Sequence, residues 1–238
     1  MHIKLRKKLW VVAIGAFALG FSGLTQAAEI ESSIARGGNL YDKWFKVVDT
    51  DAPEKSHGLY PADKKYAEKP GANWRCKECH GWDYQGVNGA YSSGKHSTGI
   101  VGINGASGQS ADAIIATLKG DAHGYAGLLG DQDMTDLANF VGQGQVDMDQ
   151  YIDSASKAPK GDAVKGEAYY NTICAKCHGF EGKLPDDMKP FGKQMGNPWE
   201  VMHKILNGQP GEDMPALRAL DHQIIADIMS HMVSLPEE

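Results

Sequence analysis

Apolar side chains recur at helical spacing in several separate stretches of the chain. In residues 131–141 the apolar positions are Met134, Leu137, Ala138 and Val141, which share one face of a helix. Residues 221–233 carry a longer stripe of the same kind, made of Ile224, Ile225, Ile228, Met229 and Met232. Shorter helices are predicted over residues 38–45, 111–118, 166–173 and 199–206. Such stripes are typical of helices that face a core, so the pattern predicts an all-α protein.

The amino terminus has the pattern of an export signal. Several basic residues and no acid lie in residues 1–8, an apolar run occupies residues 9–23, and small residues surround Ala27. We therefore predict a signal peptide over residues 1–27 that is cleaved after Ala27. The alternative is an uncleaved membrane anchor, but the apolar run is shorter than the roughly 20 residues that a spanning helix needs. We expect a soluble protein in the bacterial periplasm, without stable membrane insertion after cleavage.

The charge balance excludes one class of partner. The full chain has 24 basic and 30 acidic residues, a formal net charge of −6. Loss of the predicted signal peptide removes four basic residues and no acid, which leaves 20 against 30, or −10. Such a chain is not expected to bind nucleic acid, because phosphates are neutralised by clustered basic side chains. It is suited to docking on partner proteins that have basic faces.

All four cysteines of the chain fall in two CxxCH motifs. The motifs are Cys76-Lys77-Glu78-Cys79-His80 and Cys174-Ala175-Lys176-Cys177-His178. This spacing is typical of c-type haem attachment, in which two thiols bond to one haem and the histidine binds its iron. We therefore predict two covalently attached haem c groups, with four thioether residues, Cys76, Cys79, Cys174 and Cys177, and two proximal iron ligands, His80 and His178. Two zinc sites are the alternative, but each motif supplies only three ligands and no further Cys/His pair follows at zinc-finger spacing.

The chain contains a weak internal repeat in the order helix, CxxCH motif, glycine-rich loop, helix, ligand loop, helix. The copies begin at Gly38–Phe45 and Gly166–Ile173, and their last helices overlay when Gly130 is matched with Asp221. We predict an N-terminal unit over residues 28–143 with an insertion near 49–73, a linker over residues 144–161, and a C-terminal unit over residues 162–238. A fragment that begins near residue 160 is expected to fold around its own haem.

Three runs of residues in the C-terminal unit carry a family resemblance. They are Gly166 to Tyr170, Cys174 to Gly179, and Gly211-Glu212-Asp213-Met214-Pro215-Ala216-Leu217. Over nearly its whole length this unit resembles a class I cytochrome c domain, and the chain is similar to the diheme cytochromes c built from two such domains. The resemblance implies two tandem helical domains, each wrapped around one covalently bound haem. The N-terminal unit departs from the pattern, because it carries the insertion and lacks a Met-Pro pair.

The resemblance also implies the sixth iron ligand of the second haem. In that family the methionine of a Met-Pro pair binds the iron, and here this residue is Met214. It lies 36 residues after His178, far enough for the loop to pass to the other face of the haem. The competing methionines are Met188, Met195 and Met202.

The distal ligand of the first haem is predicted from the internal overlay. Counting back seven residues from the matched pair in the last helices places His123 opposite Met214, so His123 is the first candidate. His96 is the second candidate, although it lies only 16 residues after His80. Met134 is expected to belong to a helix core, and an iron open to substrate is the remaining alternative.

Two classes of function remain. The first is a periplasmic diheme c-type cytochrome that carries single electrons between partners such as other cytochromes, a periplasmic dehydrogenase, or a terminal reductase or oxidase. The second is the haem subunit of a periplasmic dehydrogenase, or a diheme oxidoreductase with a substrate site at the first haem. The carrier is favoured, because both irons have a candidate sixth ligand and no cysteine is left over to bind iron. No catalytic residue is therefore assigned.

Overall fold

The computed structural model describes the backbone of residues 18–238 and the side chains of residues 29–238. Residues 1–17 of the predicted signal peptide lie outside the described residues, and its remainder forms the beginning of the first helix. No helix within residues 18–238 combines enough length with enough apolar character to cross a bilayer.

The described part of the chain is helical, which confirms the all-α class at the level of secondary structure. Between residues 18 and 238 the only extended pairings are two isolated bridges, Gly86 with Val101 and Ile152 with Pro159. The helices are α1 Ala18–Val47, α2 Pro70–Asn73, α3 Cys76–His80, α4 Ala111–Lys119, α5 Asp131–Gln143, α6 Ala163–Ile173, α7 Ala175–His178, α8 Phe191–Gln194, α9 Pro198–Asn207 and α10 His222–Met232. Five of the predicted helices correspond to helices of the structure. They are α4, α5, α6, α9 and α10, which were predicted over residues 111–118, 131–141, 166–173, 199–206 and 221–233.

The first helix of each half, α1 or α6, crosses the last helix of the same half at a glycine. A side-chain carbon on Gly37 in α1 would lie 2.1 Å from the carbonyl oxygen of Asp136 and 2.6 Å from Cβ of Phe140, both in α5. A side-chain carbon on Gly166 in α6 would lie 1.9 Å from the carbonyl oxygen of Asp227 in α10. Only glycine permits backbones to approach this closely.

The two helix crossings align one copy of the internal repeat with the other. Asp136 and Asp227 are 91 residues apart, which is the offset used in the sequence overlay of the last helices. The opening of the first copy is shifted by one residue from the sequence prediction. Gly37, rather than Gly38, makes the helix crossing that Gly166 makes in the second copy.

Helix α9 lies inside the molecule and connects the two halves. It contacts both α1 and α10. Eight of its ten residues are buried, namely Pro198, Trp199, Val201, Met202, His203, Ile205, Leu206 and Asn207. A helix that is buried on almost every side belongs to the interior of a core. The hydrophobic core is accordingly continuous from Ile34 in α1 to Met232 in α10.

The segment predicted as a linker, residues 144–161, packs against this core. Met148 is 1% exposed and Ile152 is 0% exposed, and Ile152 also forms a bridge with Pro159. The ammonium group of Lys160 donates to the carbonyl oxygen of Asp149 at 2.6 Å. The segment is therefore a folded connection between the halves.

Candidate haem sites

The two CxxCH motifs have the same local structure. The first forms α3, and in the second Cys174 caps α7. Each short helix ends at a glycine with positive φ, which is 82° at Gly81 and 73° at Gly179. The hydroxyl of Tyr41 donates to the carbonyl oxygen of Gly81 at 2.5 Å, and that of Tyr170 donates to Gly179 at 2.7 Å. Each motif is thus tied to the first helix of its own half, which is α1 or α6.

The histidines of the two motifs have the same tautomer. Nδ1 of His80 lies 2.7 Å from the carbonyl oxygen of Val101, and Nδ1 of His178 lies 3.0 Å from that of Leu184. A carbonyl can only accept a hydrogen bond, so Nδ1 carries the proton in both neutral rings. Nε2 therefore keeps its lone pair, which is the usual arrangement of a metal-binding histidine.

The first motif borders a cavity of about 390 Å³. The cavity is lined by Cys76, Cys79 and His80 of the motif, and by His123 from the loop after α4. Most of the remaining wall is apolar and includes Leu59, Ile100, Ile103, Ile114, Leu118, Leu137 and Val141. Apolar walls with a few convergent polar groups are typical of a cofactor cavity.

The rings of His80 and His123 lie close together in this cavity. Their planes are 18° from parallel and their centroids are 6.3 Å apart. Two histidines on opposite sides of one ion have centroids about 6 Å apart, because each metal–nitrogen bond is about 2 Å and each centroid lies roughly 1 Å behind its nitrogen. The separation of the two rings is therefore the one that an iron held by both would require.

Burial favours the neutral form of these imidazoles. It lowers the pKa of His80 below the ordinary histidine value. Burial also lowers the pKa of His123, and the neighbouring His57 adds to that effect. Neutral imidazole is the form that binds a metal ion, so both rings are in the required protonation state at neutral pH.

Burial keeps these cysteine thiols neutral while no group is bound to them. It raises the pKa of the Cys76 thiol to about 11, that of Cys79 to about 12, and that of Cys174 to about 11. Within residues 29–238, no group of three or more His, Cys, Asp or Glu side chains is arranged to hold a metal ion. The preference for thioether attachment over zinc rests on the spacing of the two motifs.

His96, the second candidate for the distal ligand of the first haem, is engaged elsewhere. Its Nδ1 lies 2.7 Å from Oε1 of Glu78, which is 1% exposed. Its ring also stacks on Tyr66 and Tyr91, with centroid distances of 5.4 and 5.1 Å. His96 does not line the cavity, and neither does Met134, which is fully buried in α5. Of the three candidates, only His123 is brought to His80.

Sequence reasoning missed His57, which lies in the insertion and lines the same cavity. Its Nε2 lies 2.9 Å from the backbone carbonyl oxygen of His123, which is 66 residues away along the chain. A single histidine in an irregular segment gives no periodic signal, so no pattern in the sequence could have revealed this contact.

Met214, the candidate ligand in the C-terminal half, lies in the loop between α9 and α10. Backbone hydrogen bonds hold the loop on both sides of it, from Gly208 to Lys204 at 2.8 Å and from Leu217 to Ile205 at 3.0 Å. Met214 is half-buried and packs against the core. The loop is therefore an ordered part of the fold.

The competing methionines have other surroundings. Met202 is 0% exposed in α9 and Met195 is 8% exposed, so both contribute to the core. The sulfur of Met188 lies 4.0 Å from the side-chain amide of Gln194. Met214 therefore remains the candidate ligand, on the strength of its Met-Pro pair.

Comparison with known families covers the C-terminal half. Residues 161–232, which are 72 of the 238, match the family model described as cytochrome C oxidase, cbb3-type, subunit III. The match includes the second CxxCH motif, Met214 and helices α6 to α10. A comparison with curated proteins found no match for the chain. Residues 161–232 are therefore a cytochrome c domain, which implies covalently bound haem and electron transfer, and the N-terminal half lies outside the matched range.

Proposed function

We propose that the chain is a periplasmic diheme c-type cytochrome that carries single electrons between redox proteins. The C-terminal half supplies the cytochrome c domain, and the N-terminal half supplies a second haem site on the same plan. The equivalent helix crossings at Gly37 and Gly166, and the equivalent hydrogen bonds of Tyr41 and Tyr170, support this assignment.

In the N-terminal half, Cys76 and Cys79 would form the thioethers, and His80 and His123 would bind the iron. A haem held there supplies one-electron exchange between ferric and ferrous iron. The carbonyl oxygen of Val101 fixes the orientation of His80 and increases the basicity of its Nε2 by accepting the Nδ1 hydrogen. The wall of the cavity is mainly apolar, so a haem held there would lie against apolar side chains.

In the C-terminal half, the corresponding residues are Cys174, Cys177, His178 and Met214. The carbonyl oxygen of Leu184 orients His178 as Val101 orients the histidine of the first motif. Pro215 restricts the backbone of Met214 and so stiffens the loop that presents the thioether sulfur. Methionine in place of histidine raises the reduction potential, so the C-terminal site should be the more oxidising of the two.

The paired rings of His80 and His123 are the observation that carries the proposal. An iron held by both histidines would have no coordination position left for a substrate. This favours electron transfer over catalysis at the first site.

Haem content tests the number of sites. A pyridine haemochrome assay, together with the mass of the intact exported protein, should give two covalently bound haems per chain, since each CxxCH motif holds one. A value of one haem per chain, or bound zinc, would contradict the proposal.

The rate at which the ferric protein reacts with small ligands distinguishes an electron carrier from an enzyme. Ferric protein mixed with cyanide or hydrogen peroxide should react slowly, because a protein ligand must leave the iron first. Rapid reaction at the first site would instead support a diheme oxidoreductase with a substrate site there.

Export and partner docking have separate tests. The amino-terminal sequence of protein recovered from the periplasm should begin at Ala28, because the predicted cleavage follows Ala27. Electron exchange with a basic redox protein should slow as salt is added, since screening weakens the attraction of a chain whose formal net charge is −6, or −10 after loss of the predicted signal peptide.

A further inference from the structure

The insertion reaches the distal loop of the first haem site through His57. This side chain is 7% exposed, and its Nε2 lies 2.9 Å from the carbonyl oxygen of His123. The backbone N–H of Leu59 donates to Nδ1 of the same ring at 3.2 Å. Nδ1 is thus the acceptor, so the proton of the neutral ring is on Nε2 and points to the His123 carbonyl.

His57 is itself fixed to the segment that leads into the first CxxCH motif. Its backbone N–H donates to the side-chain carbonyl of Asn73 at 3.0 Å. Its ring packs edge to face with Trp74 at a centroid distance of 4.4 Å. The indole N–H of Trp74 donates in turn to the carbonyl oxygen of Lys55 at 2.7 Å. The His57 side chain is therefore held against the segment that leads from the insertion into the first CxxCH motif.

The loop that carries His123 is also attached through its neighbours. His123 and Gly124 both donate to the carbonyl oxygen of Gly120, and the backbone N–H of Tyr125 donates to that of Leu118 at 3.1 Å. Tyr125 is 3% exposed, and its hydroxyl donates to the carbonyl oxygen of Trp74 at 3.0 Å. The hydrogen bond from His57 joins the insertion to the backbone of His123 itself.

We propose that His57 is a positioning residue, which holds the His123 loop so that His123 stays on the iron of the first haem. The function of the insertion is then to hold the loop of the distal ligand in place. This inference rests on the proposed function, because it assumes that His123 is the ligand.

The rate of cyanide binding to the ferric first haem measures this restraint. Cyanide binds only after His123 has left the iron, so its rate reports the opening of the loop. His57→Phe keeps a ring to pack on Trp74 but removes the donor. It should raise the rate about fivefold, the factor expected for loss of one hydrogen bond. His57→Gln places an amide N–H where Nε2 lies and should restore the rate of the wild-type protein.

Ser56→Ala is the matched control. It removes a hydrogen bond between Ser56 and the carbonyl oxygen of Ala67, which lies wholly within the insertion. This variant should bind cyanide at the wild-type rate. If His57→Phe and Ser56→Ala change the rate equally, or if His57→Gln behaves like His57→Phe, His57 does not position the ligand.

Two further outcomes separate this inference from the assignment of His123. If His123→Ala keeps a low-spin first haem while His57→Phe becomes high-spin, His57 is the ligand and both proposals are wrong. If His123→Ala becomes high-spin and His57→Phe changes nothing, only the role of His57 is wrong. Should the His57 variants fail to accumulate, hydrogen exchange of the wild-type protein provides the test. The free energy of local opening should be the same for residues 56–60 as for residues 120–125. Unequal values would contradict the positioning role of His57.

Discussion

Two side chains, His123 and Met214, distinguish the proposed haem sites from each other. Met214→Ala should abolish the near-infrared charge-transfer band between thioether sulfur and ferric iron, and it should leave the first site unchanged. His123→Ala should do the reverse, with the band retained and a high-spin signal at the first site. Near-infrared and electron paramagnetic resonance spectra of the ferric variants measure both effects.

Met188→Ala is the control for the methionine, because its sulfur contacts Gln194 and it should leave the band in place. His96→Ala is the control for the histidine. It removes one of the partners of Glu78 but should leave the first site low-spin. A high-spin first site in His96→Ala, together with a low-spin one in His123→Ala, would reverse the assignment.

Sequence analysis could predict those functional residues that are neighbours along the chain. Each CxxCH motif and the Met-Pro pair at Met214 can be read from neighbouring positions. His123 was predicted because the last helices of the two halves overlay. His57 could not be found, since its role depends on one hydrogen bond between irregular segments that are distant along the chain.

At the scale of elements, the helix crossings at Gly37 and Gly166 leave no space for a side chain. Replacement of either glycine by alanine should push the crossing helices apart and lower the free energy of unfolding by about 1–3 kcal/mol, the usual cost of overpacking. Gly71→Ala is the matched control, because a side-chain carbon there would meet nothing within 4 Å. Urea unfolding measures the three variants, and equal stability of all three would contradict the crossing geometry.

The elements themselves follow closely from their apolar stripes. The stripe over residues 131–141 became α5, and that over residues 221–233 became α10, because one apolar face against a core is enough to define each helix. The position of α9 was not predictable in this way. Its stripe indicates a helix, but burial on almost every side depends on how the two halves pack.

At the scale of the whole molecule, Asp42 in α1 joins the two halves. Its carboxylate is 1% exposed, accepts from Lys204 in α9 at 2.7 Å, and also pairs with Arg75. Burial alone would raise the pKa of Asp42, but Lys204 and Arg75 outweigh it and hold the pKa well below its usual range. The carboxyl therefore stabilises the fold above its unfolded pKa of about 3.9, and this contribution is lost as the pH falls below that value.

Asp42→Asn should lower the free energy of unfolding at neutral pH by about 3 kcal/mol, because it leaves the partly buried Lys204 and Arg75 without their carboxylate. Below about pH 4 the variant should lose less further stability than the wild-type protein does. Urea unfolding at a series of pH values measures both. Parallel pH profiles for the two proteins would show that Asp42 does not make this contribution.

The shared helix α9 also changes the expectation for the separated C-terminal unit. His203 is fully buried, with Nε2 2.9 Å from the carbonyl oxygen of Gly38 and Nδ1 2.8 Å from the hydroxyl of Tyr84. Both partners belong to the N-terminal half. A fragment of residues 160–238 would expose this face, so we expect it to be less stable than the same residues in the full chain.

Thermal unfolding measures this dependence of one half on the other. In the full chain the absorbance changes of the two haems should share one transition, because α9 belongs to the core of both halves. Two separate transitions, or a fragment as stable as the full chain, would instead support the sequence prediction of two independently folding units.

The central claim is that one chain holds two low-spin haems with different axial ligands. Low-temperature electron paramagnetic resonance and near-infrared spectra of the fully oxidised, haem-loaded protein test it most directly. We predict two low-spin ferric signals of equal intensity. One should have the signature of two histidine ligands, and the other that of histidine and methionine with its charge-transfer band. A single low-spin species, or high-spin iron amounting to one of the two haems, would contradict the account.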